Sequence, residues 1–158
     1  MFRSVMKIPL YFGLLILFST PVFPDWTLVN EESRINFISI KASHIAEIHT
    51  FEELSGSVKN SGEAQVIINL ASLETLIPIR NERMGNLLFE TKLYPTATFR
   101  LGVDLQTILL TEVGKSLDVT YRGVLELKSK QFLIPIKLSV TRLGNESFSV
   151  TSSEPLLL

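Results

Sequence analysis

The sequence predicts an all-β fold of antiparallel strands with one short helix lying across an end. Three observations carry that prediction. From Trp26 onward, apolar and polar residues alternate with a period of two. Turn-forming residues fall between the alternating runs. Only one stretch, Arg80 to Phe89, changes to helical spacing.

The chain has 158 residues, a length that suits one domain, with 46% hydrophobic and 20% charged residues. That composition builds a core and excludes general disorder. At the N-terminus, Arg3 and Lys7 accompany an uncharged, mostly aliphatic run from Ile8 to Phe18. The run falls short of the roughly 20 residues that cross a bilayer and has the size of a signal-peptide core. Ser19 to Pro24 offers no clean small-x-small cleavage site, so an uncleaved anchor is the rival reading. We therefore expect residues 1–24 to act in export, and residues 25–158 to form the domain. Without Arg3 and Lys7, 13 basic residues face 16 acidic ones, which argues against nucleic acid as a partner. The absence of cysteine excludes a lipoprotein anchor, disulfides, thiolate zinc sites and a cysteine nucleophile.

The strands follow in order. Ile35 and Phe37 alternate with Arg34 and Asn36; Val66, Ile68 and Leu70 alternate with Gln65 and Asn69; Phe99, Leu101 and Val103 alternate with Arg100 and Gly102. The longest run sets Leu117, Val119, Tyr121, Gly123, Leu125 and Leu127 against Asp118, Thr120, Arg122 and Glu126. The next sets Phe132, Ile134, Ile136, Leu138 and Val140 against Pro135, Lys137 and Ser139. One wet and one dry face is the antiparallel pattern. Ser129-Lys130-Gln131 between the last two runs predicts a long hairpin, and Pro135 predicts an edge position or a bulge, since it lacks an N–H. Further turns are read at Asn60-Ser61-Gly62, Val113 to Ser116 and Gly144-Asn145-Glu146. Between Pro78 and Pro95, Met84, Leu87 and Leu88 have helical spacing, and Leu105 to Leu110 adds a further turn. Such strands close on themselves as a barrel with an interior cavity, or pair face to face as a filled sandwich, and periodicity does not choose.

His44, Glu47 and His49 invite a metal-dependent enzyme reading. The spacing opposes it: histidines five apart fall on opposite faces of a strand, whereas the zincin pattern needs four on a helix, and no third ligand is apparent. A polar loop or strand end at a barrel rim is the plainer expectation. No Gly-x-Ser-x-Gly elbow and no glycine-rich phosphate loop occur. Arg80, Asn81, Glu82 and Arg83 read either as a salt-bridged helix start or as an anionic head-group site. No catalytic residue, metal ligand or cofactor is expected.

The order of residues then resembles a known family. Trp26-Thr27-Leu28-Val29, Ser33-x-Ile35-x-Phe37, Phe51 with Leu54-Ser55-Gly56, and Val66 through Leu73 are similar to the opening of YceI-like domains. Arg80-Asn81, Phe89, Tyr94-Pro95-Thr96-Ala97-Thr98-Phe99 and Gly123-x-Leu125-x-Leu127 continue the likeness to about residue 152. The resemblance implies a lipocalin-like antiparallel β-barrel of the bacterial periplasm that binds a polyisoprenoid or another amphiphile without catalysis. Under that reading Phe37, Val66, Ile68, Phe99, Leu101, Val119, Tyr121, Leu125, Ile134 and Ile136 line the barrel, with Arg80 and Arg83 near its mouth. Gln65, Arg100, Thr120, Arg122 and Lys137 face water. Family domains continue beyond the point where this sequence stops, so an open seam, and a homodimer closing it, is a further expectation. A ligand-free β-domain that binds a partner protein through its edge is the alternative function.

Overall fold

The structure, a computed structural model, describes residues 25–41 and 45–154. The expected export segment and His44 lie outside the described residues. Ten strands occur in chain order: β1 (Trp26–Thr27), β2 (Ile35–Lys41), β3 (Ile45–Phe51), β4 (Leu54–Val58), β5 (Glu63–Asn69), β6 (Leu73–Glu74), β7 (Thr96–Gly102), β8 (Ser116–Leu127), β9 (Lys130–Arg142) and β10 (Phe148–Ser152). Helices α1 (Pro78–Arg83) and α2 (Leu105–Leu109) interrupt them. Seven strands form one sheet in the order β1-β4-β5-β7-β8-β9-β10, and β2-β3-β6 form a second. Every pairing is antiparallel. The larger sheet curls: Trp26 at one extreme of its strand order meets Phe148 at the other, edge to face, with ring centroids 6.2 Å apart.

The register shows why the alternation was readable. Val66 stands opposite Phe99, Phe99 opposite Leu125, and Leu125 opposite Phe132, so one row of apolar side chains crosses four strands on a single face. Ala64, Leu101, Gly123 and Ile134 form the next row. On the other face Arg100, Thr120, Arg122 and Lys137 are exposed. Pro135 stands opposite Arg122 on a part of β9 that β10 does not reach, because the β9–β10 register ends at Ser152 opposite Leu138. Among the described residues, Pro135 therefore holds the expected edge position.

The β8–β9 turn differs from the reading above. It comprises Lys128 and Ser129 alone, at φ 50° and 59°, and Lys130 already pairs with Leu127. Two left-handed residues in succession make the primed turn that suits the right-handed strand twist, normally built from Asn and Gly. Neither is present, so the turn carried no sequence signal. Replacing Ser129 with Gly removes a Cβ from a left-handed position. It should stabilise the domain by about 1 kcal/mol, measured as a higher urea midpoint.

The helical stretch is longer than expected and begins on Pro78, whose missing N–H has no partner to lose in a first turn. It continues from α1 as a π-helical turn, Met84–Phe89, and ends at Glu90 with φ 51°. Lys128 fastens it to the β8–β9 turn, donating to the Leu88 carbonyl at 3.1 Å and to the Glu90 carboxylate. Met84 and Phe89 pack on a buried cluster of Phe51, Leu54, Ile68, Leu70, Leu73 and Ala97. The helix thus covers the end of the sheet where β8 turns into β9. At the start of α2 the Asp104 carboxylate accepts the N–H groups of Gln106 and Thr107 at 3.1 and 3.3 Å and the Thr107 hydroxyl at 2.6 Å. The bonds from Thr107 hold that carboxyl below its ordinary range. Its support for α2 is present above the ordinary carboxylate range and is lost as pH falls through the lowered value.

Candidate functional site

The seven-stranded sheet presents its apolar rows to the inside of the curl. Of the residues expected to line a cavity, Ile68, Ile134 and Ile136 are buried, and Val66, Phe99, Leu101, Val119, Tyr121 and Leu125 are half-buried. All of these lie on the large sheet. Phe132, absent from the expected set, joins the row of Phe99 and Leu125. Phe37 stands apart: it belongs to the smaller sheet, stacked on Phe51 at 5.2 Å and edge-on to Phe89 at 5.6 Å.

Gly123 sets the shape of this inner surface. A Cβ there would lie 2.2 Å from Cζ of Phe99, so the missing side chain is what lets the phenyl ring lie across β8. Beyond the packed cluster the strip continues along β8 through Tyr121 and Val119, both half-buried. The ends of the sheet touch through Trp26 and Phe148, but β1 and β10 share no ladder. Two cavities, of about 250 and 440 Å³, lie elsewhere. The first sits between Leu70, Leu73 and the helix; the second, near Gly62, Arg100 and Arg122, includes only Leu101 from the strip.

The polar candidates separate. Arg80 reaches back from α1 to Glu47 on β3 in a two-pronged ion pair, at 2.9 and 3.2 Å. The salt-bridged reading of the helix start is therefore realised for Arg80. Arg83 is exposed, with no partner among the described residues. His49 is not in a polar loop or at a rim: it is 3% exposed, with Nε2 2.8 Å from the Ser39 hydroxyl and its ring 5.1 Å from that of Phe37. Its Nδ1 is buried without a partner. The register explains the placement, since His49 stands opposite Phe37 and is two residues from buried Phe51. Reading residues 45–51 as a strand would have found it. Among the described residues no three of His, Asp or Glu converge as metal ligands. Trp26 Nε1, at the seam, is the other buried side-chain nitrogen lacking a partner among the described residues.

Comparison with known proteins bears on this geometry. A family model described as the YceI-like domain matches residues 26–154. Among solved structures, a polyisoprenoid binding domain from Saccharophagus degradans, implicated in plant cell wall breakdown, is 38% identical with a TM-score of 0.76. The likeness covers 79% of this chain and 72% of that one. Burkholderia cenocepacia BcnA is 22% identical with a TM-score of 0.57 over 73% of this chain and 72% of its own, a likeness of fold alone. No curated protein matches.

Proposed function

The chain belongs to the YceI-like domain family, and on that premise we propose that it binds and carries an isoprenoid-like amphiphilic lipid in the periplasm, without catalysis. The observation that carries the proposal is the strip of half-buried apolar side chains inside the curl. An ordinary core finishes burying such residues, whereas these keep part of their surface available. Fully burying one large aliphatic or aromatic side chain contributes roughly 1.5–3 kcal/mol. A prenyl chain laid along the strip would complete that burial for several at once, and lose its own exposure to water in doing so. The binding at the S. degradans relative supports the ligand class, and Arg3, Lys7 and Ile8 to Phe18 support export. Head-group discrimination falls to polar residues, because apolar walls distinguish methylene groups weakly. Arg83, free of any partner among the described residues, is the better candidate than Arg80.

Mass spectrometry of a solvent extract from natively purified protein tests this reading directly. A phase-specific pair of substitutions then locates the site. Val119→Trp enlarges a half-buried residue of the strip and should abolish co-purifying lipid in a folded protein; Thr120→Trp, on the exposed face, should leave lipid content unchanged. Wild-type protein without lipid, together with a Val119→Trp variant that only melts earlier, would sink the carrier reading. One observation favours a second reading, edge pairing with a partner or a second copy. From Lys130 to Ile136, β9 has no strand on its outer side among the described residues.

A further inference from the structure

We propose that the segment from Leu76 to Leu93 docks the protein on a lipid bilayer with anionic head groups. The inference rests on the carrier reading only in supplying a reason to visit a membrane; the surface itself is read from exposure and charge. Leu76, Ile77, Ile79, Leu87, Leu88 and Leu93 are 89, 40, 54, 78, 51 and 71% exposed, a concentration of large aliphatics in one short stretch. They are ordered: Ile79, Arg83 and Leu87 are four residues apart, along one side of the helix, while Met84 and Phe89 pack inward on the core. Exposed apolar side chains concentrated in this way are the mark of a protein or membrane contact.

Leu76 adds a second observation. It holds a left-handed backbone, φ 61°, while its side chain packs against almost nothing. The fold keeps it there deliberately. The Glu74 carboxylate accepts the Leu76 N–H, and Asn81 Oδ1 accepts both the N–H of Thr75 at 2.9 Å and its hydroxyl at 2.6 Å. Hydrogen bonds from Asn81 and from Leu76 hold the Glu74 carboxyl below its ordinary range, so the clamp persists at neutral pH.

Charge selects the bilayer as occupant. Arg80 is paired with Glu47 and Lys128 with Glu90. That leaves Arg83 and Lys92, both exposed and without partners among the described residues, against Glu82 within the segment; the Glu74 carboxylate, just before it, is engaged by Asn81 and the Leu76 N–H. Aliphatic side chains flanked by uncommitted cations fit the head-group boundary of an anionic membrane, whereas protein hot spots are enriched in tryptophan and tyrosine. The far end of the β8–β9 hairpin, roughly 40 Å away at about 3.3 Å per residue, shows a smaller apolar group: Leu110, Val113 and Leu143.

The chain lacks cysteine, so a single engineered thiol gives a local reporter that an N-terminal anchor cannot imitate. Full-length protein carrying Asn86→Cys or Asn145→Cys is labelled with an environment-sensitive fluorophore and mixed with vesicles. One set contains phosphatidylglycerol and phosphatidylethanolamine, the other phosphatidylcholine alone. The expected result is a blue shift with a several-fold gain in intensity at position 86 on the anionic vesicles and none at position 145. Leu87→Glu with Lys92→Glu, both at exposed positions, should weaken that response at least tenfold. No change at position 86, an equal change at position 145, or an equal response to phosphatidylcholine overturns the proposal. A shift that appears without vesicles and grows with protein concentration identifies a second copy as the occupant and also overturns it. Solvent extraction of the same preparation separates the two ideas. Lipid-loaded protein with a silent position 86 removes the docking surface and keeps the carrier, and a responsive position 86 on lipid-free protein does the reverse.

Discussion

Gly62→Ala is expected to destabilise the domain by about 2–5 kcal/mol, combining a left-handed backbone cost with overpacking. Gly62 closes the β4–β5 turn at φ 85°, donating its N–H to Lys59 at 2.9 Å. Its carbonyl accepts the Val103 N–H at 2.8 Å, which draws the two backbones together. A Cβ at Gly62 would lie 2.4 Å from the Val103 carbonyl oxygen, a backbone atom just past the end of β7 that the Val103 N–H bond to Gly62 holds in place. Gly114 is the internal control. It has nearly the same backbone angle, φ 80°, but a Cβ there meets nothing within 4 Å. Gly114→Ala should therefore cost only the conformational part, about 1–2 kcal/mol. Urea midpoints of the two variants decide the matter. Equal losses would mean that the Val103 contact contributes nothing. Against a total stability of about 5–15 kcal/mol for a domain, the Gly62 variant is expected to be poorly folded at 37 °C.

His49→Ala is the second large effect, about 3 kcal/mol, because it empties the volume of a buried ring beside Phe37 and leaves the Ser39 hydroxyl without its partner. His49→Phe should cost less, within about 1.5 kcal/mol: it refills the space and removes the unpartnered Nδ1, at the expense of the Ser39 hydrogen bond. Thermal melts of both variants check the pair. An unchanged melting temperature for His49→Ala would refute the buried placement. A histidine that serves packing tolerates Phe; one that served as a ligand or base would not.

His49 also shows where reading the sequence stopped. Two histidines and a glutamate within six residues drew attention as chemistry, and the strand that carries Glu47 and His49 went unread. Past Phe37 the smaller sheet hides its period because its outer face is apolar too: Ile38, Ile40 and Ile48 are exposed at 55, 70 and 71% while Phe37 and Phe51 point inward. Without a wet face, alternation vanishes. In β8 and β9 the outward Thr120, Arg122 and Lys137 kept it visible, so the phase of the inner strip could be assigned residue by residue. Turn chemistry was legible where glycine supplied it, as at Gly62, and illegible at Lys128-Ser129, where lysine and serine occupy positions that favour Asn and Gly. The Arg80–Glu47 ion pair joins residues 33 apart in sequence, and no local pattern announces such a contact. Strand order is equally non-local, which is why an inner face could be foreseen and the neighbours of each strand across it could not.

The contact between Trp26 and Phe148 has a consequence for how the domain comes to exist. Each strand of the β8–β9 hairpin finds its partner across a two-residue turn, a closure that sacrifices little chain freedom. Joining Trp26 to Phe148 instead restricts a loop that spans nearly the whole described chain, so it is the most expensive closure in the molecule and follows the hairpins in time. The apolar rows of the sheet are therefore expected to pair before the curl that brings its two ends together is complete. Trp26 is the sole tryptophan, and its emission is a clock for that final step. On the proposed carrier reading, a ligand that settles on the rows early would shorten the interval in which they are bare, and so would assist the assembly of its own container.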